Sequence, residues 1–441
     1  MDLAALALNP TVAVLDNGLM VIVQEDDSAP LLSTALLYRV GAAEDTLDGG
    51  RTGKAHLFEH MMFEGSLSIP QPGSEAGLDE LLGQAGVTTN GWTSHDWTVY
   101  TNQGHPGALD AILFAESDRM GWLLEAMGDD DLANQREIVL NERRGDELSD
   151  YDHPQYTLGW LLQPEGHPYR WPVLGTAEDI AQVERAELER FFRSWYGPNN
   201  AILVVVGDVE AEAVVASAER WFSGIEAIAP PARAEDIPHE LLGSERWVMV
   251  DDRALPMLWL AWPTVPHGHA DEAALDVLSS ILTGGRGTRL DDRLLYDRAR
   301  VTAVNAWTSN ARLNGEFVIA LEQPDGPLAP TLRRVDRELQ RIVRHGVTQA
   351  EVDRAVGGWL GPEIASFQDA ETRATMLALC SAMHGEPDCW RGEIEALAAV
   401  TPEDVRRVAE TWLGEDRIVL SVVAPTDQDY ALEGSARVYA P

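Results

Sequence analysis

Two stretches of this 441-residue chain, 217 residues apart, have the same layout, and that duplication limits the fold more than any single motif. Val183–Val206 runs VERAELERFFRSWYGPNNAILVVV, and Val400–Val423 runs VTPEDVRRVAETWLGEDRIVLSVV. Each predicts a capped amphipathic helix, then an aromatic and glycine break, then a buried strand. Val183 matches Val400, Trp195 matches Trp412, Gly197 matches Gly414 and Ile202 matches Val419. A period of about half the chain predicts two similar domains in tandem. The stretch 224–245, rich in Pro, Ala and acidic residues and without a clean period, is expected to link them. The expected domains are therefore 1–223 and 246–441, with 224–245 between them. Strands are expected at Leu19–Gln24, Leu31–Tyr38, Trp97–Tyr100 and Ala201–Val206. Helices are expected at Ala55–Phe63, Leu78–Ala85, Pro106–Met120 and Leu132–Leu148, a mixture that predicts α+β layers rather than a regular βαβ wind.

Composition narrows the function. With 45% hydrophobic and 24% charged residues, the chain is not a disordered one. Lys+Arg 33 against Asp+Glu 72 leaves a formal charge of −39, which repels nucleic acid and anionic lipid and attracts cationic ligands. The plainer use of such a charge is to hold molecules apart in solution. No apolar run approaches the roughly 18 residues of a membrane span. The opening MDLAALALNP has no basic segment, so no signal peptide is read. The expected location is cytoplasmic, or periplasmic if a leader has been removed. Cys380 and Cys389 are too few for a disulfide framework and are read as core or near-surface thiols.

The chemistry concentrates in Gly53-Lys54-Ala55-His56-Leu57-Phe58-Glu59-His60-Met61. His56 and His60 are four apart, which on a helix puts both imidazoles on one face, one turn apart. Glu59 borders that face. Two neutral imidazoles and a carboxylate from elsewhere form a zinc hydrolase site with an open fourth position for water, and Glu59 is then placed to take the water's proton. The order is HxxEH, the inverse of HExxH. Two ordinary helix histidines flanking a surface acid is the alternative. For the third ligand, the helix from Asp131 to Leu148 offers Glu137, Glu142 and Glu147. On a helical wheel Glu142 falls between Ile138 and Val139, where an uncompensated carboxylate is costly and a metal would compensate it. Pairing with an arginine would serve as well. His95, His105, His153, His167 and His384 sit in polar, turn-like contexts and are read as surface side chains.

These residues resemble the pitrilysin/insulinase family of zinc peptidases, above all members related to mitochondrial processing peptidase, and the resemblance spans essentially the whole chain. Gly53 to Ser66 is similar to the family's G-x-A-H-x-x-E-H-M-x-F-x-G-T, and Asn134 to Arg144 is similar to its third-ligand helix, with the ligand at Glu142. Gln135 stands where the family often has a second acid, which weakens any charge role there. Asn90, Gly91, Trp92 and Thr93, ahead of Asp96, Thr98 and Tyr100, resemble the strand whose edge pairs with the substrate backbone. The resemblance implies a zinc endopeptidase of two α/β-layer domains: Zn2+ on His56, His60 and Glu142, and Glu59 as the base. Its substrates would be peptides or unfolded segments, basic ones favoured by the chain's charge. Shifted by 217 residues, the motif meets Ala273, Asp276 and Val277, so the second half carries no ligand set. The Arg and Tyr that active relatives carry after the glycine loop Leu282–Leu290 are replaced by Leu295 and Thr302. That pattern implies the catalytic half of a heterodimer whose homologous, metal-free partner supplies the pair. The alternative is a non-enzymatic, core-type subunit of a larger complex.

Overall fold

The computed structural model describes residues 8–74, 77–149, 151–238, 240–251, 255–297 and 299–439; most of the opening stretch on which no signal peptide was read lies outside them. The chain forms two compact units, one of Met1–Arg144, Pro172–Ala234 and Glu363–Gly392, the other of Gly145–Trp171, Glu235–Pro362 and Glu393–Pro441. The units divide at Ala234, inside the expected linker. Each half also gives a segment to the other unit, which a contiguous division of the chain does not describe.

The first unit is built on strands β1 (Thr11–Val14), β2 (Met20–Glu25), β3 (Leu32–Tyr38), β4 (Thr88–Thr93), β5 (Thr98–Gly104) and β6 (Ala201–Gly207), in the order β1-β2-β6-β3-β5-β4. The second unit uses β7 (Ser244–Val250), β8 (Met257–Thr264), β9 (Ala303–Asn310), β10 (Gly315–Glu322), β11 (Arg417–Val423) and β12 (Ala436–Arg437), in the order β12-β7-β11-β8-β10-β9. Strand for strand, β2, β6, β3, β5 and β4 correspond to β7, β11, β8, β10 and β9. In both sheets one inner pair is parallel, β2 with β6 and β7 with β11. The two repeated stretches are the helices Arg185–Trp195 and Pro402–Trp412 followed by β6 and β11. Local chemistry sets the second helix: Thr401 Oγ1 accepts the Asp404 amide at 3.2 Å, the Asp404 carboxylate accepts the Thr401 amide at 3.1 Å, and Pro402 takes the first position.

Strands β3, β6 and β11 are buried at every residue, which is what apolar runs covered on both faces require. In the first unit Val21, Leu36, Tyr38, Leu203 and Val205 face the main helical core, and Ile22, Leu37, Val99, Ile202 and Val204 face the other way. That second face is covered by Ala374, Leu377 and Ala378 of the helix Ala370–His384, from the far half of the chain. The second unit reverses the loan: Trp259, Val318, Leu420 and Val422 are covered by Leu158 and Leu162 of the helix Asp152–Leu162, from the near half. No helix among the described residues is long and apolar enough to cross a membrane.

The cysteines are not thiols. Cys380, on the covering helix of the first unit, is bonded to Cys389 nine residues on, with Cα atoms 5.3 Å apart. The helix ends at Gly385 in the left-handed conformation, and the turn that follows brings the chain back within reach. Trp390 then stacks on Phe367 with ring centroids 3.5 Å apart, closing the segment on itself. His167 also departs from expectation. It is buried: its Nδ1 accepts the Tyr169 amide at 3.0 Å, and its Nε2 lies 2.9 Å from Asp236.

Candidate metal centre

Both histidines stand on the helix Lys54–Met61. Its N-terminus is fixed by Asp45, a buried carboxylate that accepts the amides of Gly53 at 2.6 Å and Ala55 at 2.8 Å. Gly53 has φ +81°, and a Cβ there would meet the Leu174 carbonyl oxygen at 2.5 Å. Only glycine suits that conformation and that approach. Arg143, buried on the helix Asp129–Glu147, donates through Nη1 to the carbonyl of Gly175, which itself packs on Gly53. The two helices that carry the site are thus locked together at one end. The chain's one lysine, Lys54, is fully buried there and bonds Asp48 at 2.7 Å.

His56, His60 and Glu142 converge, one ligand atom from each lying within 4.8 Å of the others. Glu142 Oε2 is 3.4 Å from His60 Nε2 and 3.9 Å from His56 Nε2. A tetrahedral ion with bonds near 2.0–2.1 Å separates its ligands by roughly 3.3 Å. The His60–Glu142 pair matches this and the His56–Glu142 pair is somewhat wider, so two imidazole nitrogens and one carboxylate oxygen make a donor set compatible with zinc. Burial, helped by the neighbouring His60, holds the His56 imidazole down to about 3, so it is neutral at physiological pH, the form that binds a metal. The wheel argument for Glu142, a carboxylate set among apolar side chains, does not describe its surroundings. The buried face of its helix is Leu132, Gln135, Val139 and Arg143, and the Glu142 side chain is 43% exposed on the shoulder of that face. Two of those four buried residues are polar, and a wheel of apolar positions does not weigh them.

Glu59 lies on the same helix and is only 8% exposed. Burial raises its carboxyl above the usual carboxylate range, and the hydrogen bond from Thr93 opposes the rise. That bond runs from Thr93 Oγ1 to Glu59 Oε2 at 2.6 Å. Thr93 closes β4, which also carries Asn90, Gly91 and Trp92. The strand lies at the end of its sheet, hydrogen-bonded to β5 on one side, with no strand on the other among the described residues. Asn90 Oδ1 turns back to accept the Gly91 amide at 2.9 Å. Gly91 packs so closely on Tyr100 that a Cβ would lie 3.0 Å from the ring.

Gln135, read from the sequence as a weakened position, is a partner of the site. Its Oε1 lies 3.0 Å from His60 Nδ1 and its Nε2 donates to Glu64. The second unit keeps one trace of this geometry. Asp276, on the helix Glu272–Leu282, accepts from Thr308 Oγ1 of β9, as Glu59 accepts from Thr93. No imidazole accompanies it on that helix, where Ala273 and Val277 stand at the histidine positions. Leu295 packs against that unit's core and the Thr302 hydroxyl donates to the Glu322 carbonyl at 3.2 Å, so neither supplies a guanidinium or a phenol.

Two family models match the chain. One, described as insulinase (peptidase family M16), covers residues 20–145, and the other, described as the peptidase M16 inactive domain, covers residues 182–358. The zinc protease PqqE of Helicobacter pylori is 28% identical over 352 residues, 77% of this chain and 76% of that protein. A solved protease from Helicobacter pylori superposes with a TM-score of 0.85 at 21% identity, covering 94% of this chain and all of that one. A Pseudomonas fluorescens structure described as a peptidase M16 inactive domain superposes at 0.83 with 19% identity, over 98% of this chain and all of that one.

Proposed function

The chain belongs to the insulinase family of M16 peptidases, and from that premise we propose that it is the metal-bearing subunit of a zinc endopeptidase. The observation that carries the reading is the convergence of His56, His60 and Glu142 beside a buried Glu59. Among the described residues, the second unit's helix Glu272–Leu282 carries no histidine pair beside Asp276, and that unit serves as the non-catalytic repeat. When bound, zinc would polarise the scissile carbonyl and make water acidic near neutral pH. Glu59, buried beside the three candidate ligands, is the base placed to take a proton from an attacking water and to return it to the leaving amine. Thr93 holds Glu59 Oε2, which leaves Oε1 to move the proton. The free edge of β4 pairs with an extended peptide, giving affinity through main-chain bonds with little demand on sequence. The −39 charge favours basic peptides.

A homologous partner that carries the missing Arg and Tyr completes the enzyme, so the chain alone is weak or inactive. The Cys380–Cys389 bond supports an oxidising, extracytoplasmic compartment over the cytoplasmic one expected from the opening residues. A structural, non-enzymatic subunit has no use for three converging ligands and a buried base, which is why the peptidase reading is preferred. The test is metal analysis together with peptide cleavage by the wild type, Glu59→Gln and His60→Ala, each with and without a candidate partner. Glu59→Gln is expected to keep zinc and lose hydrolysis, and His60→Ala to lose zinc. Full turnover by Glu59→Gln removes Glu59 from the mechanism, and a rate that no partner raises removes the heterodimer.

A further inference from the structure

The amide of Gln135 is wedged between an imidazole and a carboxylate, and that decides which way round it sits. Glu64, half-buried just beyond the histidine helix, can only accept, so it takes the Gln135 NH2 group. The carbonyl end, Oε1, is then the atom 3.0 Å from His60 Nδ1. An amide oxygen also only accepts, so Nδ1 must carry the ring proton and Nε2 the lone pair. Nε2 is the atom that faces Glu142 at 3.4 Å. The other imidazole has no such device: His56 Nδ1 is buried without a hydrogen-bond partner among the described residues.

We propose that Glu64, acting through the Gln135 amide, selects the metal-binding tautomer of His60 and is a positioning residue of this centre. The proposal rests on the reading of His56, His60 and Glu142 as a metal site, and it names the remote charge on which that site depends. Outer partners of metal-bound histidines fix the ring and its tautomer. Here a carboxylate does so at one remove. The amide passes on the direction of the hydrogen bond and keeps the negative charge one side chain away from the ring.

The test uses the full chain. The ring 15N shifts of His60 are read in the metal-free protein, and zinc affinity is measured by competition with a chromophoric chelator. Wild type is expected to show the Nδ1-protonated form. Glu64→Gln lets the Gln135 amide turn either way, so the Nδ1-protonated fraction falls and zinc affinity drops by roughly tenfold, within the range for such outer partners. Gln135→Met is expected to produce the same two changes. Adding Glu64→Gln to Gln135→Met is expected to cost nothing further, because the relay is already cut. Glu64→Asp keeps the charge and is expected to retain most of the bias. If Glu64→Gln leaves tautomer and affinity unchanged, or costs as much in the Gln135→Met background as alone, the relay is wrong. Should Glu64→Gln not fold, the tautomer in Gln135→Met decides instead: an unchanged Nδ1-protonated form there overturns the relay. A wild-type chain that binds no zinc overturns the metal reading, while the tautomer in the metal-free protein still judges the relay.

Discussion

Thr93 Oγ1 donates to Glu59 Oε2 at 2.6 Å, tying the edge strand β4 to the helix that carries both histidines. The bond orients the carboxylate without touching the ligand set. Thr93→Val keeps the side chain's shape and removes the donor. It is expected to leave zinc content unchanged and to lower kcat by roughly tenfold, in line with outer hydrogen-bond partners of metal sites. Metal analysis and steady-state cleavage, with and without a candidate partner, check this. An unchanged kcat means that the hydroxyl plays no part in aiming Glu59.

Gly53 cannot carry a side chain where it stands. Its φ of +81° and the 2.5 Å approach of the Leu174 carbonyl make Gly53→Ala a strained substitution. The expected cost is roughly 1–3 kcal/mol, with a fall in zinc affinity because the helix start shifts under His56. Urea unfolding and chelator competition measure both. The same substitution at Gly145, a helical position where a Cβ meets nothing within 4 Å, is expected to cost nothing or to stabilise by up to about 1 kcal/mol and serves as the control.

The disulfide predicts that the unreduced, denatured chain contains no free thiol, since Cys380 and Cys389 are its two cysteines. Thiol titration in denaturant reads this directly. Replacing both residues with Ser opens a loop of nine residues and is expected to lower stability by about 2–3 kcal/mol. Two titratable thiols per chain, in protein prepared without reductant, would remove the bond and with it the argument for an oxidising compartment.

His167 supplies a pH test. Burial, opposed by its bond to Asp236, holds its imidazole below the ordinary histidine value. In the unfolded chain the ring protonates near the ordinary value of about 6.5, whereas in the folded chain it resists the proton. Unfolding therefore takes up a proton, and stability is lost as pH falls below about 6.5. The urea midpoint at pH 5.5 is expected to lie below that at pH 7.5, and His167→Gln is expected to shrink the difference. An unchanged difference in the variant assigns the acid sensitivity to other groups.

What could be read from the residues alone was whatever local chemistry repeats. The 217-residue offset announced two equivalent sheets because Trp195 and Trp412, Gly197 and Gly414 mark the same break between helix and strand. The histidine helix was legible because its four-residue spacing is a property of one helix. The covering helices were not. Ala374, Leu377 and Ala378 lie on Ile22, Leu37 and Val204 only after the chain has come back from its far half, and nothing near Ala370 says so. The disulfide was missed because a nine-residue spacing resembles no framework and the turn at Gly385 decides the encounter. Gln135 was discounted as a lost charge, since its amide gains a role only when His60 and Glu64 arrive on either side of it.

The exchanged helices bear on how such a chain can be divided. A polypeptide ending near Ala234 would keep β1 to β6 and lack the strip that shields Ile22 and Val204; its complement would leave Trp259 and Leu420 bare. Two fragments produced apart should therefore stick to themselves or to whatever apolar surface is at hand, and recover their fold only when mixed. Neither half of the sequence therefore encodes a complete folding unit, although each encodes a complete sheet.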